Sequence, residues 1–314
     1  MAEFMSLNQL VLICDHVDLI LNEILEKNGL KVTYEPEITP EQIAEKIGNF
    51  QVVVVRSRTK LSRELIEKAD KCKIIARVGV GLDNIDQVAA KEKNIRVINA
   101  VEGAITAVAE LVIGLMLSMA REIPRADREI RNGNWIKKEL TGSELKGKYL
   151  GIIGLGNIGK RLGRLTRALN MNIIGYDVVP IDDEFSKEVG LMKADLDTLL
   201  SSADYVSLHV PLLDSTHHMI NAEKLKLMKN TARIINTSRG GVIDEEALYN
   251  SLKEGNIAGA ALDVFEVEPA TGNKLTTLPN FVATPHMGAQ TKEAQLLAAN
   301  VIAEKIIQLL RGVL

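Results

Sequence analysis

The run Leu150-Gly151-Ile152-Ile153-Gly154-Leu155-Gly156-Asn157-Ile158-Gly159 decides the fold. An apolar strand enters three glycines spaced Gly-x-Gly-x-x-Gly, and an amphipathic stretch, Lys160 to Leu169, leaves them. Each glycine has its own task. Gly154 permits the tight turn, Gly156 lets backbone approach a pyrophosphate, and Gly159 lets the helix lie close on the strand. The helix start then supplies unpaired N–H groups and the positive end of a dipole. The next apolar strand, Asn172–Tyr176, runs into Asp177, an acid placed to bond ribose hydroxyls. The same acid repels a 2′-phosphate, and Val178-Val179-Pro180 brings no cation to welcome one. The cofactor is therefore read as NAD.

Outward from this turn, short apolar runs alternate with amphipathic stretches, the pattern of an α/β protein with parallel sheets. Strands are predicted downstream at Tyr205–Leu208, Ala232–Asn236, Gly259–Leu262 and Phe281–Ala283, and upstream at Leu10–Cys14, Val52–Val55, Ile74–Arg77 and Val97–Ile98. Helices are predicted near Asp18–Asn28, Pro40–Lys46, Ser62–Ala69, Val88–Lys93, Ala104–Arg121 and Lys292–Leu310. Arg128 to Lys138 reads as a polar stretch broken at Gly133-Asn134-Trp135. Two strand–helix series with separate starts predict two domains. By analogy with such folds, the chain returns to the first domain at its end.

The chain has 314 residues, 46% hydrophobic and 25% charged, with a formal net charge of −3. That balance suits a soluble globular chain and leaves no general basic surface for nucleic acid. The apolar stretch Leu111–Met119 is shorter than the ~18 to 20 residues a membrane span needs, so no membrane partner is expected. No secretory signal is read at the start, and Met1–Phe4 admits an expression remnant ahead of a start at Met5. Cys14 and Cys72 are isolated and read as reduced cytoplasmic thiols, and no Cys/His cluster has metal-ligand spacing.

Removing a hydride from a hydroxy acid needs a base for the hydroxyl proton, a cation for the developing carbonyl and a group that tunes the base. His286 follows the strand Phe281–Ala283, Glu268 lies in the segment after Gly259–Leu262, and Arg239 follows Ala232–Asn236. In such sheets ligands sit at the carboxyl ends of the strands. The arrival of a base, an acid and a cation at three successive strand ends carries more weight than any one of them.

With these motifs the chain resembles the D-isomer-specific 2-hydroxyacid dehydrogenases. The resemblance runs from Arg56-Ser57-Arg58-Thr59 through Gly79-Val-Gly-Leu-Asp-Asn-Ile-Asp86, Val108-Ala-Glu-Leu111, Gly133-Asn-Trp135, Gly154–Gly159 and Ser238-Arg-Gly-Gly241 to Pro285-His-Met-Gly288. It implies a Rossmann-type doubly wound parallel sheet, residues 100–289, inserted in a flavodoxin-like α/β substrate domain, residues 1–99 with 290–314. It implies that Arg239, Glu268 and His286 form the catalytic triad. Asn157, Ile158, Val210, Pro211, Thr237, Ser238, Asp263 and Gly288 are implied as cofactor contacts, with Asp263 near the nicotinamide. Backbone amides of Val78, Gly79, Val80 and Gly81 are implied to hold a substrate carboxylate in a nest.

Within that family the chain is most like the members that oxidise D-3-phosphoglycerate to 3-phosphooxypyruvate on the way to serine. Arg56 with Ser57, Arg77, and the partner subunit's Lys137 in a homodimer match the positions implied for the substrate. Two departures stand out: Ala107 replaces a common hydroxyl residue, and Val80 leaves only main chain where some relatives have Thr. Longer members append serine-binding regulatory domains, and no such feedback is expected from this sequence. Two alternatives stay open: a glyoxylate or hydroxypyruvate reductase using the same triad, and a non-catalytic NAD-sensing corepressor.

Overall fold

The structure, a computed structural model, describes residues 9–313; the Met1–Phe4 segment lies outside them. The chain divides into two compact units, Met1–Ala107 with Ala289–Leu314, and Val108–Gly288.

The first unit carries five parallel strands, β1 (Leu10–Ile13), β2 (Lys31–Tyr34), β3 (Val52–Val55), β4 (Ile74–Arg77) and β5 (Arg96–Asn99), in the order β2-β1-β3-β4-β5. That is the flavodoxin-like order. Alternate residues serve two cores. Val11, Ile13, Val52 and Val54 pack under the helix Lys292–Leu310, while Leu12, Val53 and Val55 face the opposite layer with Ile43, Ile66 and Ala89. Burial on both faces is why the central strand is an unbroken Val-Val-Val-Val, each side chain contributing about 1.5–3 kcal/mol. β2 escaped the sequence reading because it is an edge strand whose Lys-Val-Thr-Tyr never becomes an apolar run.

The second unit carries seven parallel strands: β6 (Tyr149–Ile153), β7 (Asn172–Tyr176), β8 (Met192–Lys193), β9 (Tyr205–Leu208), β10 (Arg233–Asn236), β11 (Gly259–Leu262) and β12 (Phe281–Ala283). Their order is β12-β11-β10-β9-β6-β7-β8, the doubly wound Rossmann arrangement with its reversal between β6 and β9. β8 is a two-residue exposed edge and left no pattern in the sequence.

The helix Val101–Ala120 begins three residues before its predicted start. It passes from one unit's span of chain into the other's, so the observed boundary falls at Ala107 and the expected one at Asn99. Its first turns belong with the first unit because Gly103 lies on Ala294 and Ala298, where a Cβ would sit 2.8 Å from the Ala294 carbonyl oxygen. By length and composition this helix is apolar enough to cross a membrane, contrary to the expectation from Leu111–Met119 alone. Small apolar residues ahead of Leu111 extend the run. It is built as a core helix, burying Ala109, Val112, Leu115, Met116, Met119 and Ala120.

Cys14 and Cys72 are free and buried, and burial pushes both thiols up to about 12. Neither should react with a thiol reagent such as dithionitrobenzoate at pH 8 in the native protein, and both should react in denaturant; rapid native labelling would contradict the burial.

Candidate active site

Because every strand of the second unit is parallel, all carboxyl ends fall on one edge of its sheet. Across that edge, in sheet order, stand His286 after β12, Asp263 and Glu268 after β11, Thr237 to Arg239 after β10, Val210 and Pro211 after β9, the glycine turn after β6, and Asp177 after β7.

The glycine turn is built as its spacing requires. Gly154 has φ +92°, and a Cβ there would lie 2.5 Å from the His209 carbonyl oxygen. A Cβ on Gly159 would lie 2.1 Å from the Gly154 carbonyl oxygen, the close helix-on-strand approach. Gly156 caps the helix Asn157–Ala168, and around its missing side chain there is open space. Asn157 and Ile158 form the first turn, where N–H groups have no helical partner. Asp177 accepts hydrogen bonds from Leu155 N at 2.6 Å and Val179 N at 3.0 Å, so the acid also braces the turn. Thr237 is buried and its hydroxyl oxygen has no hydrogen-bond partner. An open cradle at a helix start and an orphaned buried hydroxyl on the same strand edge fit a dinucleotide.

His286 adopts φ +51°, uncommon for a residue with a side chain. The conformation is held by its own N–H, which donates to the Asp263 carbonyl at 2.8 Å, and by the Asp263 side chain. That carboxylate, 1% exposed, accepts from Thr284 Oγ1 at 2.6 Å, Met287 N at 2.9 Å and Gly288 N at 2.9 Å. His286 Nδ1 donates to Glu268 Oε2 at 2.8 Å, and Phe265 N donates to Glu268 Oε1 at 3.1 Å. The carboxylate can only accept, so the proton sits on Nδ1 and the Nε2 lone pair is left to take another. Arg239 is half-buried, with Nη1 on its neighbour Ser238's carbonyl at 2.6 Å. Asn236 Nδ2 donates to the Arg239 carbonyl at 2.8 Å, and Asn236 Oδ1 accepts from Ser238 N and Oγ. Asn236 thus sets the loop that carries the cation.

The implied substrate residues of the first unit also stand at strand ends. Arg56 and Ser57 follow β3, and Arg77 to Gly81 close and follow the adjacent β4, with Val55 in register with Arg77. The Arg77 guanidinium lies over Gly79, where φ is +144° and a Cβ would lie 2.1 Å from Nη1. Arg56 Nη2 donates to Gln290 Oε1 at 3.0 Å. Burial pulls the Arg56 guanidinium below its ordinary value, with Asp15 opposing. Asp15 escaped the sequence reading. It is 2% exposed directly after β1, and it accepts from Arg56 N at 2.5 Å and Thr59 Oγ1 at 2.7 Å. An acid immediately after an apolar strand was the available signal; for Gln290 there was none. Lys137 stands outside both strand edges, on the exposed turn Lys137–Glu139.

A family model described as "D-isomer specific 2-hydroxyacid dehydrogenase, NAD binding domain" matches residues 113–288. The chain belongs to the D-isomer-specific 2-hydroxyacid dehydrogenases. Its second unit is the NAD-binding domain of such a protein. It is 49% identical to the D-3-phosphoglycerate dehydrogenase of Methanocaldococcus jannaschii, over 95% of this chain and 56% of that one. It is 47% identical to the hydroxypyruvate reductase of Thermotoga maritima, over 91% of this chain and 92% of that one. The chain thus spans little more than half of the first relative and nearly all of the second. Among solved structures, a glyoxylate reductase from Paecilomyes thermophila superposes with a TM-score of 0.88 at 30% identity, over 96% of this chain and 95% of that one.

The close approaches can be separated experimentally. A Cβ on Gly240 would lie 1.8 Å from the Phe265 carbonyl oxygen, so Gly240→Ala should destabilise by about 1–3 kcal/mol or more in denaturant melts. Gly156→Ala meets nothing in the protein; it should leave the melt unchanged and weaken NADH binding in a fluorescence titration. His209, bonded to Ser207 Oγ, is held by burial down to about 4 from 6.5. Between those values the unfolded state takes the extra proton. The stability present above pH 6.5 should therefore fall as the pH drops towards 4, with a shallower fall in His209→Gln.

Proposed function

We propose that this chain oxidises D-3-phosphoglycerate to 3-phosphooxypyruvate with NAD. The observation that carries the reading is the pair Arg56 and Arg77. They stand at the carboxyl ends of adjacent strands, beside the glycine-bounded turn Gly79–Gly81, where an acid carrying both a carboxylate and a phosphate needs cations and backbone N–H groups; the Val78 N–H is not one of these, since it donates to the Val55 carbonyl at 2.9 Å. The similarity to D-3-phosphoglycerate dehydrogenases supports it. A second reading, reduction of hydroxypyruvate or glyoxylate, is supported by the reductase of which the chain covers 92%.

When bound, NAD supplies the hydride acceptor at its nicotinamide ring. His286 Nε2 takes the hydroxyl proton, because Nδ1 is committed to Glu268. Glu268 stabilises the resulting imidazolium. Arg239 pins the substrate carboxylate and draws charge onto the forming carbonyl oxygen. Gly154, Gly156, Asn157, Ile158 and Gly159 seat the pyrophosphate, and Asp177 takes the ribose. Val210, Pro211, Thr237, Ser238 and Gly288 line the rest of the cofactor edge. Asp263 acts beside the nicotinamide through the loop it holds. The partner subunit's Lys137 adds charge for the phosphate in a homodimer. Leu117, Ile123, Ile130 and Trp135 are exposed apolar side chains available for that pairing, Trp135 being 81% exposed. The buried free thiols suit a reducing cytoplasm.

Initial rates with D-3-phosphoglycerate, D-glycerate, hydroxypyruvate and glyoxylate test the substrate. The phosphorylated acid should lead D-glycerate in kcat/KM by at least tenfold, about 1.4 kcal/mol of transition-state binding; a lead for unphosphorylated acids moves the assignment to the reductase. His286→Asn should abolish turnover and keep NADH binding. NADH should bind more tightly than NADPH, and Asp177→Ala should narrow the gap. No absorbance change with any hydroxy acid would favour the NAD-sensing alternative. Gel filtration should give a dimer that Trp135→Arg weakens.

A further inference from the structure

Beside the reacting residues, His218 occupies an unexplained position. Its backbone sits at φ +49°, and its N–H donates to the Gly241 carbonyl at 2.7 Å. From there the chain runs parallel to the segment after Arg239: Ile220 N donates to Val242 O at 3.2 Å, and Asp244 N to Ile220 O at 3.1 Å. The imidazole reaches the other way. Its Nε2 lies 3.0 Å from Glu266 Oε1, and its ring stacks on His217 with centroids 3.9 Å apart. Glu266 is two residues from Glu268. It is clamped a second time by the helix Glu245–Lys253: its carboxylate accepts from Glu245 N at 3.1 Å, and its own N–H donates to Glu245 Oε1 at 2.7 Å. The loop carrying His218 is itself closed by Thr216 Oγ1, which donates to the Pro211 carbonyl at 2.6 Å. One residue therefore joins three loops: His218 lies in the one after Val210, its backbone N–H holds the one bearing Arg239, and its side chain holds the one bearing Glu268.

We propose that His218 and Glu266 are positioning residues, locking the loops of Arg239 and Glu268 to one another and thereby setting the Glu268–His286 pair. The proposal rests on the reading of Arg239, Glu268 and His286 as the reacting groups. The contact at Gly240 explains why a lock is needed there. The two loops touch backbone to backbone at the Phe265 carbonyl, with no side chain between them to key their register. A single half-exposed side-chain contact adds little to global stability, so the lock acts locally.

Two variants remove the lock, and Glu266→Ala in addition frees the exposed Glu245 N–H at the start of its helix, a contact that His218→Asn leaves in place. His218→Asn tolerates positive φ but is too short to reach Glu266; Glu266→Ala removes the other partner. Each should lower kcat about tenfold, with KM for the hydroxy acid and NADH affinity within threefold of wild type and an unchanged melting temperature. The double variant should be no worse than either single one, and Glu266→Gln, which keeps both acceptor contacts, should restore kcat to within about twofold. Independently of turnover, the ring proton resonances of His286 in the protein without cofactor or substrate should move in His218→Asn and Glu266→Ala and stay in place in Glu266→Gln. Unmoved resonances, or additive losses in the double variant, overturn the proposal. Wild-type protein that turns over no hydroxy acid overturns the functional reading instead, and the resonances still decide the lock.

Discussion

A single buried carboxylate holds the reacting edge of the second unit together. Asp263 is almost fully enclosed, and a bare carboxylate so placed carries a large desolvation cost unless its oxygens are filled by donors. Three donors from one short loop, Thr284 Oγ1, Met287 N and Gly288 N, fill them. That satisfaction forces the loop into the left-handed turn at His286 and aims the imidazole at Glu268. The geometry of His286, the proposed base, is thus a by-product of solvating an acid with protein rather than water. The first unit repeats the device. Asp15, equally buried after β1, gathers Arg56 N and Thr59 Oγ1 and so fixes where the implied phosphate-binding arginine leaves the sheet.

Glycines do the complementary work. Where carboxylates pull loops together, glycines let backbones come closer than a Cβ allows, at Gly159 under Gly154 and at Gly240 under Phe265. The loops of Arg239 and Glu268 therefore meet as bare main chain. Their alignment then falls to longer side chains arriving from elsewhere, which is the place His218 and Glu266 fill.

The strands most legible in the sequence are those buried on both faces, such as Val52–Val55, because enclosure favours an apolar run; the edge strands at Val97–Ile98 and Phe281–Ala283 were legible through short apolar runs of their own. The edge strands Lys31–Tyr34 and Met192–Lys193 face partly or wholly to water and wrote no such run. The helix Ile123–Arg131 left no apolar face to read, because it buries none of its residues, and its last turn falls inside the stretch Arg128 to Lys138 that reads as polar. In the site, the groups named from sequence, Lys137 excepted, stand at carboxyl strand ends, where a motif of fixed spacing marks them. The groups that orient them, Asp15, Asn236, His218 and Gln290, act through contacts tens to hundreds of residues apart or through a single loop carbonyl. No local spacing encodes those distances.

The two parallel sheets also separate two kinds of inheritance. Coenzyme choice is written in the turn after β6 and the acid after β7, in one stretch of chain. On the proposed reading, the choice of acid is written after β3 and β4, in another. If the two sets act as proposed, they can change separately, so substrate preference can shift between phosphorylated and plain acids while coenzyme chemistry stays constant. Two relatives nearly equal in identity to this chain do carry different substrate names, as such a separation allows.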